Sequence, residues 1–232
     1  MHSPSRSLAL SHKRVLALTA LAIVSAGTSA NIIDSTHGVG SGSFELGLFT
    51  NGGLGYQVLL AGSTAMTGWM VGGPGNGVDW LAMPTFAASQ GSRAVDLRSQ
   101  SNSSVSTVIP TVVGTPYMIS FDTAALVGYN VDGTVSAGSL TSQAFVANPS
   151  AELGTQAYTT HQFTFTAISV ATTVSFLATG PTLSACAQSG ACYGPVIDNV
   201  SVTAVPEIPA IWLLLGGMAF LTPRLVCRRR DA

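Results

Sequence analysis

The side chains that could do chemistry here are mostly carboxylates. Between residues 31 and 204 they are Asp34, Glu45, Asp79, Asp96, Asp122, Asp132, Glu152 and Asp198, set against only Arg93 and Arg98 and no lysine. Two carboxylates held roughly 5–10 Å apart across a sugar can cleave a glycosidic bond. Asp79, Asp96, Asp122 and Asp198 are the residues that could supply such a pair. The plainer reading is that they end strands, bind turn amides or pair with the two arginines, as acids beside glycine-rich turns commonly do. No serine has glycine two places away on both sides, as a strained nucleophile elbow requires. No phosphate-cradling glycine loop and no His-Glu-x-x-His occurs either. His37 lies close to the start of the domain, where a mobile segment is expected. His161 precedes an alternating run and reads as a solvent-edge residue. No catalytic residue, no catalytic metal and no cofactor follow from this set. A structural Ca²⁺ remains open, because aspartates and loop carbonyls can supply the six to eight oxygens it takes.

Sugar recognition needs less: an aromatic face for the apolar side of a pyranose and a few polar groups to orient it. Trp69 and Trp80 flank the turn Gly72-Gly73-Pro74-Gly75-Asn76-Gly77, while Tyr129 and Tyr193 sit in polar loops. These four are the candidate ligand-binding residues. The competing reading for the tryptophans is the core, where large aromatics usually go. Cys186 and Cys192 lie in a Gly/Ser/Ala-rich stretch and are expected to form a disulfide in an exported protein. A metal reading would need histidine or further cysteine nearby.

The elements that must position these residues are strands. Tyr56–Leu60, Val105–Ile109, Tyr117–Asp122, Gln162–Ala167, Thr172–Leu177 and Val196–Val202 are short runs rich in β-branched or aromatic residues. Gly, Pro, Asn and Ser clusters separate them. Many short strands with turn signals predict an all-β sandwich. In the whole chain of 232 residues, 47% are hydrophobic and only 8% charged, with a net charge of −1 and 25 glycines. That balance excludes a charge-driven disordered chain and a basic nucleic-acid binder. The scarcity of Glu and Lys, with so much glycine, argues against a helical bundle.

Both ends read as addresses. Residues 1–30 have Arg6, Lys13 and Arg14, then the apolar run Val15–Val24, then small residues to Ala30. This is the layout of a secretory signal peptide, with an apolar core too short to span about 30 Å of hydrocarbon. Residues 31–204 form the mature domain. Residues 205–232 hold Val205, Pro206, Glu207 and Pro209, then the apolar run Ile208–Leu221, then Arg224, Arg228, Arg229 and Arg230. Arginines just beyond an apolar segment hold that side in the cytoplasm.

This last segment resembles the PEP-CTERM sorting signal of exopolysaccharide-producing Gram-negative bacteria. The likeness extends to Ile211-Trp212-Leu213-Leu214-Leu215-Gly216-Gly217 at the start of the helix, with Ile208 standing where that signal has proline. The resemblance implies a short transmembrane helix, transient anchoring in the inner membrane, processing by an exosortase, and delivery to the cell surface or extracellular matrix.

The domain between the addresses resembles one family along nearly its whole length. Gly42-Ser43-Phe44-Glu45, Gly68-Trp69-Met70-Val71, Val78-Asp79-Trp80-Leu81, Gln90 to Leu97, Tyr117 to Asp122, Phe163 to Thr166 and Gly194 to Ser201 follow its motifs in order. This is the choice-of-anchor C family, related to an uncharacterised domain of plant cell-wall proteins. The resemblance implies a galactose-binding-like jelly roll and extracellular work, without a catalytic motif to carry over. The expected function is non-catalytic binding or organisation of envelope or matrix polysaccharide. A glycan-active hydrolase using paired aspartates and a purely structural surface protein are the alternatives.

Overall fold

A computed structural model describes residues 29–50, 53–75, 77–99, 101–126, 130–150, 152, 154–180 and 193–206. The expected signal peptide core, Tyr129, the Cys186–Cys192 disulfide, Glu207, Pro209, the apolar C-terminal run and the four tail arginines lie outside these residues. Among the described residues no helix is long and apolar enough to cross a membrane.

The chain folds as a short helix and eleven strands: α1 (Ile32–His37), β1 (Tyr56–Leu59), β2 (Met70–Gly72), β3 (Val78–Ala82), β4 (Arg93–Asp96), β5 (Ser104–Pro110), β6 (Pro116–Ala125), β7 (Val131–Ala137), β8 (Leu140–Ala147), β9 (Thr159–Thr166), β10 (Ala171–Ala178) and β11 (Pro195–Ala204). They form a six-stranded sheet in the order β1-β3-β4-β11-β6-β9 and a five-stranded sheet in the order β2-β5-β10-β7-β8. The paired strands are antiparallel throughout. From β5 onward the chain crosses repeatedly from one sheet to the other, with only β7 and β8 joined as a hairpin within a sheet. This is the β-sandwich that the strand pattern predicts, in the jelly-roll form that the family resemblance implies.

Alternation sets the register. In β5, Val105, Thr107 and Ile109 turn inward, and Val174 and Phe176 of β10 do the same from the neighbouring strand. A one-residue slip would expose all of them, so the burial itself fixes the pairing. The centre of the sandwich is aromatic. Phe121 meets Phe176 edge-on at 4.8 Å and Phe145 at 5.1 Å, the geometry that ring quadrupoles favour. His161 is not at the solvent edge. It lies within β9, half-buried, stacked 5.5 Å from Phe121, with Nε2 3.1 Å from the Thr123 hydroxyl.

The β7–β8 hairpin is not among the runs that the sequence singles out as strands, yet Val131, Gly133, Val135 and Ala137 point inward at period two. Gly133 is there because the Phe145 ring lies across it. A Cβ at that position would come within 2.3 Å of the ring. Gly133→Val is therefore expected to lower stability by about 1–3 kcal/mol through overpacking. Chemical denaturation measures it, and an unchanged midpoint would contradict this packing.

The six-residue α1 has no counterpart in the sequence reading, because its length leaves no periodicity to detect. Asn31 makes it. The side-chain Oδ1 accepts from Ile33 N, as a helix cap does, and from Val202 N, each at 3.1 Å. Its Nδ2 donates to the Val200 carbonyl at 3.1 Å. The helix is thereby sewn onto β11, with Ile33 wholly buried. His37, expected in a mobile segment, is held at the helix end. Its Nε2 lies 3.0 Å from both the Val108 carbonyl and the Thr107 hydroxyl.

Candidate functional site

The two tryptophans do not present a ring to a ligand. Trp69 is 2% exposed and Trp80 is fully buried. Each indole nitrogen donates to a backbone carbonyl of one segment, Trp69 to Ser41 at 2.8 Å and Trp80 to Phe44 at 3.1 Å. A buried indole N–H ordinarily finds such an acceptor, because leaving it unpaired is costly. Phe44 packs on Trp69 at 4.9 Å, while the Arg93 guanidinium covers the Trp80 ring at 4.8 Å and Phe49 at 4.4 Å. Their assignment as ligand contacts is thus corrected: they are core residues that clamp the Gly42–Glu45 segment. Tyr193 is half-buried against the small cluster of Leu81, Phe86 and Val196. Its carbonyl lies 3.5 Å from Arg98 Nη1.

The Gly-Ser-Phe-Glu segment earns its residues one by one. Gly42 passes so close to β11 that a Cβ would sit 2.1 Å from the Val200 carbonyl. Its own carbonyl accepts from Val200 N at 2.8 Å. Glu45 accepts from the amides of Ser92 and Arg93 at 2.7 and 2.8 Å and from the Ser92 hydroxyl at 2.8 Å. The carboxylate therefore closes the turn before β4.

The four aspartates fall into two facing pairs. Asp122 and Asp198 are register partners on β6 and β11. Asp198 Oδ2 accepts from Ser89 N at 2.7 Å and Gln90 N at 2.8 Å, and its Oδ1 from Asn199 N at 2.6 Å. Asp122 accepts from Ser89 Oγ, from Thr160 Oγ1 at 2.6 Å and from Asn199 Nδ2 at 3.0 Å. Burial pushes Asp198 up to about 7 against its amide bonds and with the Glu45 charge. Burial works the same way on Asp122, but its hydrogen bonds from Ser89, Thr160 and Asn199 outweigh it and hold the carboxyl below its usual range. Together the pair pins the loop between β3 and β4 to the six-stranded sheet.

Asp79 and Asp96 face each other across β3 and β4. Asp96 is fully buried. Its Oδ1 accepts from Gly194 N at 2.8 Å and Arg98 N at 2.9 Å, while its Oδ2 has no hydrogen-bond partner among the described residues. Burial first, and the Asp79 charge second, push Asp96 up to about 8 against its amide bonds and the Arg98 charge. Burial pushes Asp79 up to about 6, opposed by a hydrogen bond from Ser99. Arg98 is itself buried, with Nε donating to Asn102 Oδ1 at 2.8 Å. Among the described residues no three His, Cys, Asp or Glu side chains converge as a metal site would need.

Among the described residues, a groove of about 290 Å³ opens to solvent at the β2 edge of the five-stranded sheet. His37 from the end of α1, Thr64, Met70 of β2, and Ser106, Thr107 and Val108 of β5 line it, over Gly68 and Trp69. Half of the Met70 side chain and half of Val108 are exposed. Gly68 has a φ of +82°, and a Cβ there would strike the His37 ring at 2.4 Å, so this glycine lets the imidazole lie against the groove floor. None of the four aspartates lines the groove. The lining is largely apolar surface, with the Thr64 and Ser106 side chains beside it, while the Thr107 hydroxyl is buried on His37 Nε2; such a groove can cover the apolar side of an uncharged ligand. Sequence reasoning missed the groove because its residues come from three separated segments. Only the cap at Asn31, ahead of Ile32 and Ile33, could have fixed His37.

A family model matches residues 39–203, from just after α1 to the end of β11. The chain belongs to DUF642, a family described as proteins of unknown function. This domain of unknown function contains the Gly-Ser-Phe-Glu segment, both buried tryptophans and both aspartate pairs. No curated protein matches the DUF642 chain. Similar solved structures include the carbohydrate-binding module TmCBM61 in complex with β-1,4-galactotriose. It is 17% identical, with 76% of this chain and all of that one covered, at a TM-score of 0.46. A family 35 carbohydrate-binding module from Clostridium thermocellum is 9% identical, with 64% and 99% covered, at 0.44. A cyclase from Fischerella sp. TAU is 17% identical, with 72% and 96% covered, at 0.47. At such identities and scores these neighbours carry no conclusion about ligand or chemistry for the DUF642 domain.

Proposed function

We propose that this DUF642 protein is an exported, non-catalytic module that binds a neutral polysaccharide of the cell envelope or matrix in the groove between α1, β2 and β5. One observation carries the reading. Asp96 and Asp198 are buried on backbone amides, Asp122 is bonded by the side chains of Ser89, Thr160 and Asn199, and Asp79 is half-buried facing Asp96, while the groove is lined by no carboxylate. A hydrolase would need two carboxyls facing a bound sugar. A lectin-like groove needs apolar surface with hydroxyls beside it, and the largely apolar lining with Thr64 and Ser106 fits that need.

The C-terminal residues 205–232 carry the addressing part of the proposal. The Val205-Pro206-Glu207-Ile208-Pro209 motif, the apolar run and the arginines fit a PEP-CTERM signal in a choice-of-anchor C protein. The apolar run enters the inner membrane until an exosortase removes it, and the domain then reaches the surface or matrix.

Affinity electrophoresis of the detergent-solubilised full chain through gels containing neutral and acidic polysaccharides, with Ca²⁺ or with a chelator, tests the binding claim. Retardation by at least one neutral glycan is expected. Met70→Glu, which puts a carboxylate into the groove from an exposed position, is expected to abolish it while stability stays within about 0.5 kcal/mol of the parent. Equal retardation of Met70→Glu and the parent would place binding elsewhere.

A further inference from the structure

We propose that the end of the sandwich from which the C-terminal segment departs is a membrane-contacting tip, with a lipid bilayer surface as its occupant. Two loops build it. The β5–β6 loop carries Val112 and Val113, and the β9–β10 loop carries Ile168 and Val170. These four side chains are 66, 57, 68 and 75% exposed. They form one patch because the loops are hydrogen-bonded together. Thr111 N donates to the Val170 carbonyl at 3.0 Å, Gly114 N to Ala167 at 2.8 Å, and Ala167 N to Thr115 at 3.1 Å. Four exposed branched aliphatics on zipped loops are not what water selects, and such patches mark contact surfaces.

The loops are also free of charge. From Pro110 to Tyr117 and from Thr166 to Ala171 there is no Asp, Glu, Lys or Arg. A protein partner is usually met by a polar rim, whereas a bilayer rejects charge and accepts apolar side chains a few ångströms deep.

The path of the chain selects the bilayer as occupant. β11 ends at Ala204, and Val205 N donates to the carbonyl of Pro116, the first residue of β6 and the last of the tip loop, at 2.9 Å. The chain therefore leaves the fold beside the patch, and the apolar run begins at Ile208, three residues further on. Three extended residues reach only about 10 Å. A domain on so short a leash presents this end to the membrane that holds the run. The inference rests on the reading of the C-terminal run as membrane-inserted.

The test uses the full chain carrying Trp212→Phe, so that Trp69 and Trp80 give a constant buried background. Val113→Trp is added at the tip, and in a second protein Leu60→Trp at the opposite end. Both are reconstituted into phosphatidylethanolamine–phosphatidylglycerol vesicles with and without brominated acyl chains. The tip tryptophan is expected to lose most of its added emission to the bromines, the Leu60→Trp control to lose none, and Ile168→Asp in the tip protein to restore emission. A chain that floats with the vesicles while its tip tryptophan stays as bright as the control overturns the tip and leaves the inserted run standing. A chain that does not float overturns the inserted run, and the tip with it.

Discussion

Replacing Trp80 by alanine is expected to cost about 3–5 kcal/mol of stability, the usual range for emptying a buried aromatic site. The loss has three sources. The ring is fully buried between the sheets, so its transfer from water is forfeited and a cavity remains. Its indole N–H no longer holds the Phe44 carbonyl. The Arg93 guanidinium, whose Nη1 lacks a hydrogen-bond partner among the described residues, loses one of the two rings it lies on. Trp80→Phe keeps much of the burial without the hydrogen bond and is expected to lie between. Urea unfolding followed by far-ultraviolet circular dichroism measures both. A ring held out for a ligand would give the opposite result: unchanged stability and lost binding. The same substitution therefore separates a core tryptophan from a sugar platform.

The second large effect is pH dependence. Asp79, Asp96 and Asp198 are raised by burial to about 6, 8 and 7. A carboxyl raised in the native state holds a proton that the unfolded chain has already released. Its stabilising contribution is complete below the ordinary carboxylate range and is lost as pH rises through the native value. Stability is thus expected to fall between about pH 4 and pH 8. Asp79 alone, raised from 3.8 to about 6, corresponds to about 3 kcal/mol, and each kcal/mol moves Tm by about 2–4 °C in a domain of this size. Asp122 is lowered and works the other way, but only below the normal range, where its hydrogen bonds are lost as it protonates. Thermal melts from pH 4.5 to 8.5 should show Tm descending. Asp96→Asn keeps the shape, removes the buried charge and should flatten the descent. A Tm that rises across this range, or an Asp96→Asn profile parallel to the parent's, would contradict the buried-carboxyl account.

The strands were legible where residue type and alternation agreed, as in Val105–Ile109, Thr172–Leu177 and Val196–Val202. They were not where a tertiary contact replaced propensity. Gly133 belongs to a strand only because Phe145 covers it. Asp96 and Asp198 bind turn amides, one of the roles open to the aspartates in the sequence, but the partners lie far along the chain: Asp198 and Ser89 are 109 residues apart. The tryptophans illustrate the harder limit. An aromatic beside a glycine turn looks alike in sequence whether its ring faces sugar or core. Here the decision lay with carbonyls of Ser41 and Phe44, 28 and 36 residues upstream. The groove was illegible for the same reason, since α1, β2 and β5 meet only in the folded chain.

Binding without cleavage is the central claim, and one experiment reads both. The full chain is incubated for a day with the polysaccharide that retards it most, and retention and new reducing ends are measured on the same sample. Retention with no reducing ends above the protein-free control is the predicted result. Reducing ends that accumulate with the parent and vanish with Asp79→Asn or Asp198→Asn would contradict the account and restore the aspartates as catalysts.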